Sequence, residues 1–293
     1  ELFERADFAL YSGKLASRGS CTLFTAEHEQ LIRSGQVLEA ALLTADLAAE
    51  MNLVFQPVVD VHDMRTVAVE ALARWHSPIL GEVPPDRFIP MAENLGMMGR
   101  LTPALFDRAL QAAAVLPPDV AVAFNLSTQD LCSPDTVQAL LDRIEAAGAD
   151  PRRVIFEVTE TALMRNFDVA VASIDRLRAE GIEVALDDFG TGFSSLTHLR
   201  RLPLDRVKLD RSFAGATGED SGRMIVAAIA GLCRNLRLQC VMEGVETAEQ
   251  LLRARQFGYR FVQGYLISPP LGIEALLAWL DQANEEWVRQ ASA

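Results

Sequence analysis

The stretch LVFQPVVDVHDMRTVAVEAL (residues 53–72) contains two apolar segments separated by only four residues, His62 to Arg65. Alternating valines and other apolar residues make both segments strand-like. A four-residue connection suits a hairpin, whereas a parallel crossover needs a dozen residues or more. The sequence therefore predicts that one of these two strands runs antiparallel to the rest of its sheet.

Beyond this hairpin, strand-like segments alternate with helical patterns, which favours an α/β fold with a largely parallel sheet. Strands are predicted at 53–61, 66–71, 119–126, 153–158, 182–187, 205–209, 239–243 and 260–264. Helices are predicted at 86–96, 101–115, 134–147, 167–180, 194–201, 220–236, 247–257 and 273–290. The 293 residues match one (β/α)8 barrel of roughly 250 residues plus an extension. The predicted fold is a modified TIM (β/α)8 barrel with one antiparallel strand near its start.

Individual residues mark some of the helix ends. Asp86 and Thr247 are predicted N-caps, because their side chains can accept bonds from the free amides of a first helical turn. Gly148, Gly181 and Gly258 lie where helices should end. These positions set the expected lengths of the connections between strands and helices.

Seven predicted strands carry a charged or amide side chain at or near their C-terminal ends. In chain order these residues are Glu70, Asn125, Glu157, Asp187 with Asp188, Lys208, Glu243 and Gln263. A carboxylate after an apolar run often only marks the point where a strand reaches solvent. The C-terminal ends of barrel strands, however, converge on one mouth, where such barrels carry their active sites. The pattern predicts a carboxylate-lined, cation-binding centre.

The segment DDFGTGFSS (residues 187–195) is the most distinctive part of this pattern. Because strand side chains alternate, adjacent Asp187 and Asp188 are expected to point in different directions and to serve two neighbouring cations, one aspartate bridging them. Gly190 and Gly192 give the following loop backbone freedom. The alternative interpretation is an Asp-rich turn before a helix.

Composition excludes some classes of function. The formal net charge of −13 argues against binding to polymeric nucleic acid through a basic face. We identify no apolar run near the ~18 residues of a membrane span, and no signal peptide. The expectation is a cytoplasmic fragment without membrane contact of its own. Since it starts at Glu1 rather than methionine, we expect it to belong to a longer protein, whose upstream domains can supply a membrane anchor.

Nine ordered motifs between about residues 50 and 275 resemble the EAL-domain family of cyclic di-GMP phosphodiesterases. They are FQPVVD, EALARW, FIPMAENLG, FNLS, FEVTETAL, DDFGTGFSSL, LPLDRVKLDRSF, EGVET and VQGYLISPPL. The resemblance implies a modified (β/α)8 barrel with one antiparallel strand. It also implies metal-dependent hydrolysis of cyclic di-GMP to linear pGpG. The alternative is a catalytically weak receptor or interaction module, as some family members are.

The resemblance assigns metal ligands residue by residue. It implies that Glu70, Asn125, Glu157 and Asp187 bind one Mg²⁺ or Mn²⁺, and that Asp187 bridges to a second ion held by Asp188. An all-oxygen set suits hard divalent cations and makes zinc a poor expectation. Calcium is expected to inhibit, because its larger size and looser geometry fix the reacting groups poorly.

Further roles follow from the same resemblance. Glu70, Lys208, Glu243 and Gln263 are the expected catalytic residues. Lys208 either contacts the nucleophilic water or scissile phosphate or only pairs with carboxylates, and Glu243 is either a metal-associated carboxylate or the general base. Gln263 is expected to orient a metal-bound water or ligand.

The remaining assignments concern the substrate and the glycine-rich loop. Gln56, Leu72 and Arg74 match positions that contact the dinucleotide, although an arginine at a strand end often only pairs with an acid. Glu160 and Glu246 match supports of the loop, with helix N-terminal carboxylates as the alternative.

The first fifty residues carry a second resemblance. RADFALYSGK (residues 5–14) is similar to the closing helix of GGDEF (diguanylate cyclase) domains. We therefore predict the tail of an upstream GGDEF-like domain at residues 1–27, a helical linker at 28–50 and the barrel at 51–293. The family also implies a homodimer with the 188–235 region near the interface.

Overall fold

The computed structural model describes residue 10 and residues 23–160, 163, 166–190, 196–216 and 220–291. Its strands are β1 (Met51–Asp60), β2 (Thr66–Ser77), β3 (Gly81–Val83), β4 (Ala121–Leu126), β5 (Val154–Thr159), β6 (Glu183–Phe189), β7 (Arg206–Leu209), β8 (Gln239–Met242) and β9 (Phe261–Gln263). Their order in the sheet is β1-β9-β8-β7-β6-β5-β4-β2-β3, and β1 also pairs with β2. That last pairing closes eight strands into a barrel and leaves β3 as an extra edge strand.

Strand β1 is the antiparallel member of the barrel. It pairs antiparallel with β2 on one side and with β9 on the other, while β2, β4, β5, β6, β7, β8 and β9 pair in parallel. This confirms the fold class and the antiparallel strand that the short hairpin connection predicted.

Helices cover the outside of the barrel. They are α1 (Ala26–Thr44), α2 (Leu47–Glu50), α3 (Pro85–Asn94), α4 (Met98–Val115), α5 (Thr128–Leu131), α6 (Pro134–Ala146), α7 (Phe167–Ala179), α8 (Leu196–Arg201), α9 (Arg211–Ala216), α10 (Asp220–Leu236), α11 (Ala248–Phe257) and α12 (Ile273–Ala291). A 3₁₀ turn, Pro151–Arg153, precedes β5. None of the helices in the described ranges combines the length and apolarity that crossing a bilayer requires.

One of the two predicted N-caps is confirmed and the other is wrong. Thr247 caps α11 by accepting a bond from the Gln250 amide. At α3 the N-cap is Pro84, and Asp86 lies inside the first turn because Pro85 takes the first helical position, where its fixed φ and missing N–H carry no cost. The helices before Gly148, Gly181 and Gly258 end where predicted.

Strand β2 is longer than the sequence indicated. It was expected to end at residue 71, but it continues to Ser77 because β1 pairs with it as far as Trp75 and β3 pairs with its last three residues. The extension carries Leu72 and Arg74 on regular strand rather than on a loop.

The segment before the barrel also differs from its prediction. Instead of one helix over 28–50, α1 ends at Thr44 and α2 restarts after Asp46, whose side chain accepts bonds from the amides of Ala48 and Ala49. The predicted GGDEF-like tail lies almost wholly outside the described residues.

Candidate active site

The barrel interior has an apolar layer with a polar layer directly above it. The apolar layer consists of Val58, Ala68, Ala123, Ile155, Ala185, Val241 and Phe261, all buried. Residues two apart on a strand face the same side. The next inward positions towards the mouth are therefore Gln56 on the antiparallel strand and Glu70, Asn125, Glu157, Asp187, Glu243 and Gln263 on the parallel side. The strand period thus places the predicted residues on one inner ring.

Lys208 lies at the centre of this ring. Its side chain is 2% exposed, and its Nζ lies 3.1 Å from Glu70, 2.9 Å from Glu157, 3.2 Å from Asp187 and 2.8 Å from Glu243. One ammonium therefore serves four carboxylates, which leaves the mouth with an excess of negative charge.

This crowding shifts the pKa values of the ring. Burial alone would lower the pKa of Lys208, but the four carboxylates raise it well above its usual range, so the lysine is an ammonium. Burial and the Glu70 charge raise the pKa of Glu157 well above its ordinary value. For Glu70, burial is outweighed by the Lys208 charge and by hydrogen bonds, and its pKa is lowered. Burial, Asp187 and Glu70 raise the pKa of Glu243 to about 8, against the opposing effect of Lys208.

Amide side chains fix the orientation of Glu70. Asn125 donates Nδ2 to one carboxylate oxygen over 3.0 Å, and Gln263 donates Nε2 to the other over 2.7 Å. Gln263 is also within 3.1 Å of Gln56 Oε1, and Gln56 donates to the Ser268 carbonyl. Among the described residues, the buried Oε1 of Gln263 has no hydrogen-bond partner. An acceptor oxygen is thus free at the ring.

Asp187 and Asp188 lie in one carboxylate cluster, in which Asp187 belongs to two groups of three and Asp188 to one. The register between β6 and β7 breaks between Leu186 and Phe189, and Asp188 has a left-handed φ of 52°. A bulge with such a backbone interrupts the strict alternation of a strand and changes the direction of the adjacent side chain. The shared position of Asp187 is compatible with the predicted arrangement of two neighbouring cations with one bridging aspartate.

The carboxylates form two groups of three that share Asp187. The inner triplet is Glu70, Glu157 and Asp187, and the outer triplet is Asp187, Asp188 and Glu243. Within each triplet one oxygen per residue lies within 4.8 Å of the others. Such all-oxygen sets, with the free Gln263 oxygen beside them, fit hard divalent cations.

A cleft of about 1150 Å³ opens above the triplets. The three residues predicted to contact substrate, Gln56, Leu72 and Arg74, all line it. Sequence reasoning missed several other lining residues, among them Asn52, Trp75, His76, Glu82, Asp86 and Arg211. Most of these belong to the extension of β2, to β3 and to the start of α3, so recognising the longer strand would have found them.

Gly264, directly after Gln263, was also missed. A Cβ at this position would lie 2.3 Å from the backbone N and O of Val245, closer than any real contact. The glycine lets the chain after β9 pass the loop after β8, where the Val245 amide donates to the Gln263 carbonyl over 3.0 Å. The close approach keeps Gln263 at the mouth, where it donates to Glu70 of the inner triplet.

The two predicted loop supports follow different strands, Glu160 after β5 and Glu246 after β8. Glu160 is buried at the end of β5, and its Oε2 has no hydrogen-bond partner among the described residues. Glu246 is exposed and lines the cleft. Their predicted contacts with the glycine-rich loop fall outside the described residues, because residues 191–195 are not among them.

Comparison with known proteins agrees with the fold and the carboxylate cluster described above. The fold and the mouth define an α/β barrel with the side chains of a divalent-cation centre. The profile of the EAL domain matches residues 39–270. The chain belongs to the EAL-domain family, as its motifs implied.

Curated relatives include the cyclic di-GMP phosphodiesterase NbdA of Pseudomonas aeruginosa, 37% identical over 287 aligned residues, covering 96% of this chain and 36% of NbdA. The probable cyclic di-GMP phosphodiesterase PdeN of Escherichia coli is 35% identical over 244 residues, covering 82% of this chain and 47% of PdeN. The chain spans about a third to a half of the length of these relatives.

Solved structures of EAL proteins have the same fold. The P. aeruginosa MucR phosphodiesterase in complex with c-di-GMP is 33% identical, with a TM-score of 0.77, covering 82% of this chain and 99% of that one. The EAL enzyme Bd1971, in a form bound to cAMP and cyclic di-GMP, is 28% identical, with a TM-score of 0.80, covering 85% of this chain and 69% of that one.

Proposed function

We propose that this chain is a metal-dependent phosphodiesterase that hydrolyses one phosphodiester bond of cyclic di-GMP and yields linear pGpG. The observation that carries the proposal is the pair of carboxylate triplets sharing Asp187 at the floor of an open cleft. Membership of the EAL-domain family and relatives named as cyclic di-GMP phosphodiesterases support the same substrate.

The residues of the ring would hold two divalent ions, Mg²⁺ or Mn²⁺. The inner triplet, with Asn125, would hold one, and the outer triplet the other. When bound, such a pair of ions supplies a nucleophile at neutral pH and stabilises charge on the phosphoryl oxygens. Calcium, which fixes ligands loosely, should support binding but little turnover.

Lys208 contributes fixed positive charge in this proposal. Its four carboxylate contacts keep it protonated and immobile, so it stabilises negative charge at the floor without acting as a base. Glu243 lies 2.8 Å from it at the edge of the outer triplet, where a carboxylate can bind a cation or accept a proton. Gln263 would present its free Oε1 to the same region.

The cleft would bind the dinucleotide through its polar and cationic lining. Arg74 donates to the Ala73 carbonyl through Nη1 over 2.8 Å, which aligns the guanidinium along the wall, where it can grip a phosphate oxygen. Gln56 and Leu72 line the same cleft. Glu160 and Glu246 would support the glycine-rich loop that follows Asp188.

The alternative is a receptor that binds cyclic di-GMP without turnover. Receptors of this kind are expected to lack ligands, whereas here both triplets are complete, which favours the enzyme. The experiment is to incubate the purified protein with cyclic di-GMP and Mg²⁺, Mn²⁺ or Ca²⁺ and to separate the products by chromatography. The proposal expects pGpG with Mg²⁺ or Mn²⁺ only. Binding without any product would favour the receptor, and rapid hydrolysis with calcium alone would contradict the metal assignment.

A homodimer with the 188–235 region near the interface is part of the proposal. Met224 and Ile225 on α10 are 74% and 49% exposed, and adjacent apolar side chains of this size often mark a protein contact. Met224→Glu with Ile225→Glu should convert a dimer to a monomer in sedimentation velocity. Wild-type protein that sediments as a monomer with full activity would refute the dimer.

The domain organisation is proposed on the same basis. Residues 1–27 would be the tail of an upstream GGDEF domain, 28–50 a helical linker and 51–293 the catalytic barrel, located in the cytoplasm with its second-messenger substrate. The lengths of the relatives, two to three times that of this chain, leave room for such a domain.

A further inference from the structure

Glu50, the last residue of α2, accepts two hydrogen bonds through its carboxylate. Its Oε1 accepts from the backbone amide of Asp46 over 3.0 Å, and its Oε2 accepts from the indole Nε1 of Trp75 over 2.9 Å. Asp46 is the residue that caps α2 and separates it from α1. The same carboxylate therefore joins the segment before the barrel to strand β2.

Trp75 lies where three strands meet at the outer wall of the cleft. It pairs with Met51 of β1 and with Val83 of β3, and its indole packs edge to face on Phe88 of α3 with ring centroids 5.8 Å apart. Trp75 is 1% exposed and yet borders the cleft together with Val83. A shift of this indole would move β3, the start of α3 and the neighbouring Arg74.

The segment before the barrel also contacts this wall directly. Helix α1 packs against α3, and a crevice between them is lined by Glu27, Gln30, Leu31 and Ser34 from α1 and by Arg87 from α3. Arg87 follows Asp86, which borders the cleft. Two contacts, one at each end of the segment, thus link it to the wall.

We propose that Glu50 is a positioning residue, which holds the Trp75 indole and through it sets the outer wall of the substrate cleft. Movement of α1 and α2 would then change affinity for the nucleotide. This inference rests on the proposed cyclic di-GMP phosphodiesterase function. The effect of Glu50 should be separable from the chemistry on the floor, because Glu70, Glu157, Asp187 and Glu243 contact Lys208 there, whereas Glu50 bonds to Trp75 in the wall.

The test uses Glu50→Gln. A carboxylate accepts from both donors, whereas a carboxamide of the same shape has only one acceptor oxygen, so either Asp46 or Trp75 loses its partner. Losing one such bond should raise KM for cyclic di-GMP about three- to ten-fold, with kcat and the Mg²⁺ dependence within about two-fold of wild type. Glu39→Gln, the same chemical change on α1, is the matched control and should leave KM unchanged.

A double-mutant cycle separates this link from general damage. Trp75→Phe keeps a ring that can pack on Phe88 but removes the indole N–H, so the Asp46 amide becomes the single donor for residue 50. Glu50→Gln should then add less than about two-fold to KM in the Trp75→Phe background. Equal effects of Glu50→Gln in both backgrounds would overturn the link, as would a loss of kcat and melting temperature without a separate rise in KM.

Hydrogen exchange without nucleotide makes the outcome independent of the proposed function. Amides of residues 78–94, which cover β3 and α3, should exchange several-fold faster in Glu50→Gln than in wild type or Glu39→Gln. If wild-type protein neither binds nor hydrolyses cyclic di-GMP, the proposed function fails while faster exchange still supports the positioning of the wall. Unchanged exchange at 78–94 overturns the inference whatever the enzymatic result.

Discussion

The inner and outer triplets share Asp187 but are built differently. Glu70 and Glu157 of the inner triplet are 6% and 3% exposed, and the parallel pairings β2–β4 and β4–β5 beside them keep an unbroken register. Asp188 of the outer triplet is exposed and lies at a register break with a left-handed φ. The sheet thus fixes one half of the centre, whereas a local departure from the sheet creates the other.

This difference has an energetic consequence. Lys208 Nζ is within 3.2 Å of all three inner carboxylates, and in the outer triplet it is within this distance of Asp187 and Glu243. An internal cation therefore contacts every member of the inner triplet before any metal binds. In the outer triplet, burial and the like charge of Asp187 disfavour the ionised form of Asp188 and raise its pKa. The outer triplet should therefore depend more strongly on bound cations for its order.

The largest effect is expected at the residue common to both triplets. Asp187→Asn removes the charge that would serve both ions, and should lower kcat for cyclic di-GMP by at least about 1000-fold, at the upper end of the effect of losing one electrostatic contact. Asp107→Asn, on the surface of α4, is the matched control and should keep wild-type turnover. An Asp187→Asn enzyme with a tenth of the wild-type rate would exclude a shared ligand.

The second largest effect is expected from removing the internal cation, Lys208. Lys208→Met should lower kcat about 100-fold through lost charge stabilisation, while the pH–rate profile keeps its shape, since the lysine stays protonated throughout. In chelator the variant should lose about 3–5 kcal/mol of unfolding free energy, because buried carboxylates lose their partner.

Both quantities can be measured on one preparation. Urea unfolding with and without Mg²⁺ gives the stability, and the proposal expects Mg²⁺ to restore more of it in Lys208→Met than in wild type. Loss of one limb of the pH–rate profile would instead identify Lys208 as the base. Near-normal turnover would leave it only an ion-pair partner.

The sequence predicted the regular half of the centre better than the irregular half. Glu70 and Glu157 were predicted from apolar strands that end at one mouth, and the structure places both within 3.1 Å of Lys208 Nζ. The turn of Asp188 into the cluster comes from a bulge, which depends on how β6 meets β7 and has no local sequence rule here. The wall formed by Trp75 was missed because β2 extends only through its pairing with β1 and β3.

The outer ligand should be the more replaceable one. Asp188→Asn should raise the Mg²⁺ concentration needed for half-maximal hydrolysis about 10- to 100-fold. At high Mg²⁺ concentration, kcat should partly recover. Its melting temperature in chelator should equal or slightly exceed that of wild type, because the substitution removes repulsion from Asp187 and Asp210. The check is a Mg²⁺ titration of activity beside thermal unfolding in chelator. Clear destabilisation of metal-free Asp188→Asn would erase the distinction between the triplets.

The smallest effect concerns the proton on Glu243 in metal-free protein. Its pKa in the fold is raised from the ordinary 4.5 to about 8, through burial and the charges of Asp187 and Glu70. Between these two values the folded state binds more protons than the unfolded state, so stability should fall as pH rises from about 4.5 through about 8. Glu243→Gln is neutral throughout and should remove this part of the decline.

Thermal unfolding in chelator across about pH 5 to 9 measures the contribution of Glu243 to this decline in stability. Wild type should lose a few degrees more than Glu243→Gln over this range, and the gap between their slopes should shrink with saturating Mg²⁺, because a bound cation stabilises the charged carboxylate in place of the proton. Parallel melting curves for the two proteins in chelator would mean that Glu243 is already ionised beside Lys208. In that case Glu243 would carry its charge before metal binds, as the lowered pKa of Glu70 indicates for that residue of the inner triplet.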